Sequence, residues 1–473
     1  MKISNIKIKN FGPIKEANID ISPLTIFIGP NSCGKSFAAK LIHCLSLTPD
    51  EDILEIGLKH VADSFKNLND NNKIQVMELV DEINNYLKTN PTINSEPLKI
   101  PIEKIDNLVY EGIIVYLSEI ISEMITDQFG EELDDLISFN KDFFKINIRN
   151  NELFKKTNEK LIVNVGTISI ISDKEPKDGE EILMHVHTDD ENFIFNIESL
   201  LLNKTSLDDF TIFLLFYQKI GLSIFKSILL ENSFYIPAER SELIIDKKLL
   251  TRKIQNKSDV SKNQSEVLAN ILNIDSSKKS IFYNLACELE KEFSNISIGI
   301  DDSNIFNSIS FKNTQTNKIM SSKLLSTSLH EISIFILYLK YVLKEGDLLI
   351  IEEPEAHIHP KLQRILAKYF VRAINQGLKI ILTTHSDYII EQFNNFIRLG
   401  TVNEEIIGYL NFTDQDILNY EDINIYHFKK DVDYNFITYP LEINSTGFNE
   451  ENFSEVIESL YDESNIIIEN KLR

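Results

Sequence analysis

Gly29-Pro30-Asn31-Ser32-Cys33-Gly34-Lys35-Ser36 fits the pattern G-x-x-x-x-G-K-[ST] at every fixed position, and its reading decides the fold. A chain of phosphates packs several negative charges into a small volume. Backbone N–H groups turned inward by a glycine-rich loop solvate that charge well. Gly29 and Gly34 permit the backbone angles and the close approach such a loop needs. Lys35 is then placed to reach the β and γ phosphates, and the Ser36 hydroxyl to ligate Mg2+. The flanks agree with this reading. Leu24-Thr25-Ile26-Phe27-Ile28 is a short apolar, partly β-branched run suited to a buried strand, and Phe37 to Leu47 continues as a helical apolar pattern.

A second constellation lies far downstream. Leu348-Leu349-Ile350-Ile351 reads as a buried strand and ends in Glu352-Glu353. Hydrolysis of a phosphoanhydride needs one carboxylate for Mg2+, usually through water, and another to accept the proton of the attacking water. Glu352 is assigned to the metal and Glu353 to the general base. A helix from Lys361 to Ile374 leads to another buried strand, Lys379-Ile380-Ile381-Leu382, closed by Thr383-Thr384-His385-Ser386. His385 is thereby expected to hydrogen-bond the γ phosphate and the attacking water.

The remainder of the chain sets bounds. At 473 residues it is too long for one ordinary core, so two or more lobes are expected. The net charge of −24 excludes a globally basic nucleic-acid-binding surface. One locally basic segment remains, residues 247–262, with Lys247, Lys248, Arg252, Lys253, Lys257 and Lys262. It reads first as a solvated face and second as a contact for a phosphate backbone. Cys33, Cys44 and Cys287 form neither a disulfide framework nor a zinc pattern, which suits a reducing cytoplasm. The most apolar stretch, Thr211 to Leu230, contains Gln218, Lys219 and Lys226 and reads as an amphipathic helix, so no membrane span is expected. Three strands are expected before the loop, Ile3 to Ile8, Ala17 to Ile21 and Leu24 to Ile28. Helices are expected from about Asp50 to Asn140, and strands from Phe144 to Ile197. His185 and His187 share one strand face there but lack further ligands, so no metal is assigned to them. A hairpin is expected over 293–320, and an acidic amphipathic helix near Asn452 to Tyr461.

Three strings together, GPNSCGKS, LLIIEEPEAHIHP and ILTTHS, resemble the nucleotide-binding domain of ABC-type ATPases of the SMC, RecF and OLD kind. The likeness is strongest to prokaryotic AAA-ATPase-like proteins of OLD-related and phage-defence systems. It covers about residues 1 to 47 and 320 to 445, with Phe234-Tyr235-Ile236-Pro237-Ala238-Glu239-Arg240 as a weaker match between. The fold it implies is α/β, a P-loop NTPase of the ABC/SMC-head type with a large mixed helical and β insertion. The ATPase lobe would take residues 1–49 and 233–473, and the insertion 50–232. The resemblance makes Gly29, Pro30, Asn31, Ser32, Cys33, Gly34, Lys35, Ser36 and the adjoining Phe37 the Walker A nucleotide contacts. It makes Glu352 and Glu353 the Walker B pair, His385 the switch histidine, Ala356 to Pro360 the D-loop and Ser326-Thr327-Ser328 the signature segment. Ser326 and Ser328 would touch ATP held by a second subunit, which implies a homodimer or higher even oligomer closed around nucleotide. Two departures stand out. Glu352 replaces the commoner aspartate, and Leu329 and His330 lie where a glycine usually follows the signature serine.

The function expected is Mg-dependent ATP binding and hydrolysis by a dimerising cytoplasmic protein that regulates a separate effector, a nuclease, in phage defence. The residues beyond His385 carry no acidic ligand cluster of the kind an OLD-type nuclease would use. A RecF-like DNA-binding repair ATPase is the alternative, with the missing heptad seam weighing against a full SMC protein. An ABC transporter subunit, an AAA+ ring and a scaffold that binds ATP without turnover stand further back.

Overall fold

The computed structural model describes residues 5–47, 120–131, 133–137, 232–243, 261–301, 308–431, 435–449 and 459–468, with shorter pieces between 49 and 195. The chain forms two compact units, Met1–Ile19 with Lys40–Glu231, and Asp20–Ala39 with Asn232–Arg473. It is a mixed α/β protein with a P-loop NTPase architecture in the second unit.

In the first unit, β1 (Asn5–Phe11) lies between β2 (Ile14–Asp20) and the antiparallel strand Phe143–Arg149, and Ile168–Asp173 follows at the edge. The first hairpin turns at Gly12-Pro13, and β1 runs on through Phe11 because that ring is fully buried against Phe129. Within the stretch expected to be helical, Ile120, Ile121, Met124 and Ile125 are buried at helical spacing, but Leu98–Pro101 is instead a strand paired with Asn192–Phe195. The expected strands near 160 and 192 appear as Val163–Val165 and Asn192–Phe195. The helix expected over Thr211 to Leu230, the basic run apart from Lys262, and His185 lie outside the described residues. No helix among the described residues is long and apolar enough to cross a membrane.

The second unit carries the motifs. Its elements are β3 (Leu24–Ile28), the start of α1 (Lys35–Cys44), β4 (Ser233–Ile236), α2 (Lys262–Leu272), α3 (Tyr283–Phe293), β5 (Ile296–Asp301), β6 (Ser308–Asn313), α4 (Thr327–Leu337), β7 (Leu348–Glu352), α5 (Pro360–Asn375), β8 (Lys379–Thr383), α6 (Asp387–Leu399), β9 (Ile423–Lys430) and β10 (Phe436–Pro440). Strand order is β4-β7-β8-β3-β9-β10. The first five run parallel and β10 is antiparallel to β9. All five residues of β3 and of β7 are buried, as apolar runs covered on both faces should be.

Helices α5 and α6 begin where side chains satisfy their first N–H groups. Ser386 caps α6 by accepting from the Ile389 N–H, and His359 caps α5 with Pro360 at its first position. Against the sheet, Phe335 of α4 meets Phe370 of α5 edge to face, 5.1 Å between centroids. The hairpin expected over 293–320 is β5 paired with β6, and Ile319–Met320 extends it. Helix α4 ends as α-helix at Leu337 and continues as a π-helical turn, Tyr338–Val342. On that turn the Lys340 ammonium is buried and held 2.6 Å from both Glu290 Oε1 and the Ile298 carbonyl. Of the acidic tail helix, residues 459–468 are described, and they are helical and exposed.

Candidate functional site

Parallel strands end on one edge of a sheet, and ligands of open α/β sheets bind at those carboxyl ends. Here β8 sits between β3 and β7. The glycine-rich loop after Ile28, the acidic tip Glu352-Glu353 and the turn Thr383-Thr384-His385 therefore open on the same edge.

The loop is shaped by three left-handed residues, Gly29 at φ +140°, Ser32 at +60° and Gly34 at +101°. Glycine is needed at position 29 for space as well as for angle. A Cβ there would lie 2.5 Å from the Phe428 carbonyl of β9, which is backbone and has nowhere to move. Pro30, Asn31, Ser32 and Ser36 are exposed, Phe37 is half-buried, and Cys33, Gly34 and Lys35 are buried. Lys35 Nζ donates to the carbonyls of Gly29 at 3.0 Å and Pro30 at 2.8 Å, and lies 3.7 Å from Cys33 Sγ. Burial lowers the ammonium pKa, an effect that Cys33, Glu353 and Glu355 partly oppose. Burial also pushes the Cys33 thiol up, so Cys33 packs rather than reacts.

The two glutamates of the tip differ sharply. Glu352 is 6% exposed, and its Oε2 accepts a long 3.4 Å bond from the Ala238 N–H. Its Oε1 is buried with no hydrogen-bond partner among the described residues. The Tyr235 hydroxyl titrates well above its usual range, through burial and the Glu352 carboxylate beside it. A buried carboxylate whose backbone hydrogen bond is this long could also serve as a ligand for a cation. Glu353 is the opposite case, with a side chain 45% exposed and Oε1 3.9 Å from His385 Nε2. Its backbone is left-handed at φ +43°, a costly angle for glutamate. The surroundings hold it there. Its N–H donates to the Thr383 carbonyl at 2.9 Å and approaches Thr383 Oγ1 at 3.2 Å, and its carbonyl accepts from Arg240 at 3.1 Å.

His385 is partly buried, and desolvation together with Lys35 lowers its pKa, with Glu353 opposing. At neutral pH its ring is uncharged and has one nitrogen free to accept. Its position is fixed by Glu355, which accepts from the His385 N–H at 2.6 Å and from the Thr384 hydroxyl at 2.9 Å. Burial raises the pKa of Glu355. Neither Glu355 nor Arg240 carries a role in the motif reading. Arg240 lies in the weakly matching Phe234-to-Arg240 string, but no short-range pattern signals its partners.

The expected signature serines lie at the start of α4. Ser326 is the N-cap of α4, exposed, and its side chain makes no capping bond. The Ser328 hydroxyl donates to the His357 carbonyl at 3.0 Å, which ties α4 to the segment after the acidic tip. His330 is buried, with a ring nitrogen 2.9 Å from the Ser322 carbonyl, and serves packing there. Among the described residues, no group of three or more His, Cys, Asp or Glu side chains is arranged to hold a metal. Any divalent cation at this edge would therefore rely on few protein ligands and on phosphate oxygens.

A family described as the AAA ATPase domain matches residues 1–390. The chain belongs to the AAA ATPase domain family. The matched span takes in the loop, both glutamates and His385 of this AAA ATPase domain. None of the curated proteins compared with the chain matches it. Among solved structures, an SMC head bound to the C-terminal winged-helix domain of ScpA is similar over 93% of this chain and 98% of its own, with a TM-score of 0.43 and 12% identity. The SMC head domain from Thermotoga maritima is similar over 94% and 100%, with a TM-score of 0.38 and 10% identity. An SMC head with an extended coiled coil, bound to the C-terminal domain of ScpA derived from Pyrococcus furiosus, gives 97% and 99%, 0.37 and 10%. All three likenesses are distant.

Proposed function

We propose that this AAA ATPase domain binds ATP and hydrolyses it to ADP and phosphate. The observation that carries the reading is the shared edge of β3, β8 and β7, on which the loop with Lys35, the tip with buried Glu352 and exposed Glu353, and His385, 3.9 Å from the Glu353 carboxylate, all open. Backbone N–H groups of Gly29 to Ser36 would cradle the phosphates, and Lys35 would leave its two loop carbonyls to neutralise the β and γ oxygens. Ser36 and Glu352 would hold Mg2+, which supplies further charge neutralisation between those phosphates. Glu353 would accept the proton of the attacking water, and neutral His385 would orient that water beside it. Positioning and charge neutralisation are the main requirements of this chemistry, and these groups supply both.

The wider role follows the sequence resemblance. The chain would act as an ABC/SMC-head type ATPase that dimerises around nucleotide in the cytoplasm and regulates a separately encoded effector nuclease in phage defence. The exposed, uncapped Ser326 at the start of α4 supports the dimer, because it leaves N–H groups open to a phosphate brought by a second copy. The division 1–49, 50–232 and 233–473 into split lobe and insertion belongs to the same reading, as does contact with nucleic acid through residues 247–262.

The test is phosphate release by the purified chain with Mg2+ and ATP. Lys35→Ala should reduce it about 100- to 1,000-fold. Release unchanged in that variant would sink the assignment. Sizing of the Glu353→Gln variant with and without ATP tests the dimer, and a mass that stays monomeric at saturating ATP would remove it.

A further inference from the structure

Arg240 heads the fully buried side chains by volume, and none of the chemical steps above uses it. Three stretches of chain meet on its guanidinium. Nε donates to the Glu331 carbonyl at 3.0 Å and lies 3.0 Å from Glu331 Oε2. Nη1 donates to the carbonyls of Pro237 at 3.2 Å and Glu352 at 2.8 Å. Nη2 donates to the Glu353 carbonyl at 3.1 Å. Burial lowers the Arg240 pKa, and four glutamates, led by Glu331, oppose the shift and hold it cationic.

A buried guanidinium is a poor way to fill space, since an alkyl chain of similar size avoids the desolvation. What it supplies is a rigid planar fork that fixes several acceptors relative to one another. The acceptors here are informative. Glu331 lies on α4, three residues beyond Ser328, so the two share a helix face. Glu352 and Glu353 are the acidic tip. Glu353 needs outside support for its left-handed backbone, and that support comes from two sides, Thr383 on its N–H and Arg240 on its carbonyl. Release of the carbonyl would leave the peptide free to relax and would carry the Glu353 carboxylate away from His385.

We infer that Arg240 is a positioning residue that couples the start of α4 to the Glu353 carboxylate, so that events at Ser326 and Ser328 reach the general base. The inference rests on the ATPase reading. It deepens that reading by giving the site a route through which an incoming phosphate or protomer alters turnover. Ser328, bonded to the His357 carbonyl, supplies a second contact between the same two segments.

The experiment uses the full chain with Arg240→Lys and Arg240→Met. Turnover should fall about 10- to 100-fold, as a misplaced group costs. The KM for Mg-ATP should stay within about threefold, because uniform binding is untouched. Lysine should fail to rescue, since one ammonium cannot span acceptors on three segments. Hydrogen exchange supplies the second readout. In the wild type, Mg-ATP should change protection at 326–333 and at 352–357 together, and in Arg240→Met the two should respond separately. Wild-type turnover in a folded Arg240→Met protein, or segments still linked in it, would overturn the inference. If the methionine variant does not fold, Glu331→Gln should separate the two responses to a smaller degree, and responses that stay linked there count equally against the inference. If the wild type binds ATP without hydrolysing it, the ATPase reading fails by itself and the exchange linkage still decides the role of Arg240.

Discussion

The glycine-rich loop and the acidic tip end neighbouring parts of one sheet, yet they are built in opposite ways. The loop is nearly self-sufficient. Its own Gly29, Ser32 and Gly34 supply the left-handed angles, and its own carbonyls hold Lys35. The tip depends on residues from elsewhere in the chain. Arg240 and Thr383 clamp the backbone of Glu353, while Glu355 holds the turn that carries His385. A phosphate cradle can be encoded in a short string because backbone N–H groups do the binding. A general base cannot, because its carboxylate must be aimed from several directions.

Substitutions test that contrast, beginning with the largest effect. Glu353→Gln removes the proposed proton acceptor and should lower phosphate release about 100- to 10,000-fold while ATP affinity, read with a fluorescent nucleotide, stays close to wild type. A matching loss of affinity would place Glu353 in ground-state binding instead. Glu355→Gln keeps the shape but weakens the grip on Thr384 and His385, so kcat should fall about tenfold with KM little changed. An unaltered kcat would show that the turn holds itself. Gly29→Ala attacks the loop at its contact with the Phe428 carbonyl and should cost about 1–3 kcal/mol in denaturant unfolding, along with nucleotide binding. Unfolding at the wild-type midpoint would mean that the loop is looser than its contacts imply.

The smallest effect is one of pH. His427 is buried on β9, and burial, with Lys429 and Lys35 nearby, lowers its pKa to about 4. A depressed histidine stabilises the fold above its unfolded pKa and loses that contribution as pH falls through the folded one. Its share, on the order of 2 kcal/mol, should drain away between about pH 6.5 and 4. The Tm difference between wild type and His427→Gln should therefore narrow on acidification over that window. A constant difference would place the charge effect elsewhere.

The same contrast explains what the sequence discloses. Leu24–Ile28, Leu348–Glu352 and Lys379–Thr383 were legible as strands because each is a short apolar run closed by polar residues, and the structure shifts their ends by a residue at most. Strands β9 and β10 carried no comparable signal. Tyr426 turns its hydroxyl to the backbone of Asp20, a partner that no local pattern names. Arg240 and Glu355 were invisible as functional groups for the same reason, since their roles come from chain segments brought together only by folding. The π-helical turn at Tyr338–Val342, from which Lys340 reaches Glu290 and Ile298, is not encoded by helical periodicity.

Glu353 also sets stability against turnover. Glycine adopts φ near +43° without steric penalty, whereas glutamate carries a cost of about 1 kcal/mol there. Part of what glycine gains folded it loses through the freedom it gives the unfolded chain. Glu353→Gly should therefore melt at or slightly above the wild-type temperature while its turnover disappears. Stability alone would put glycine at this position, so the carboxylate fits the proposed part in turnover better than a part in holding the fold.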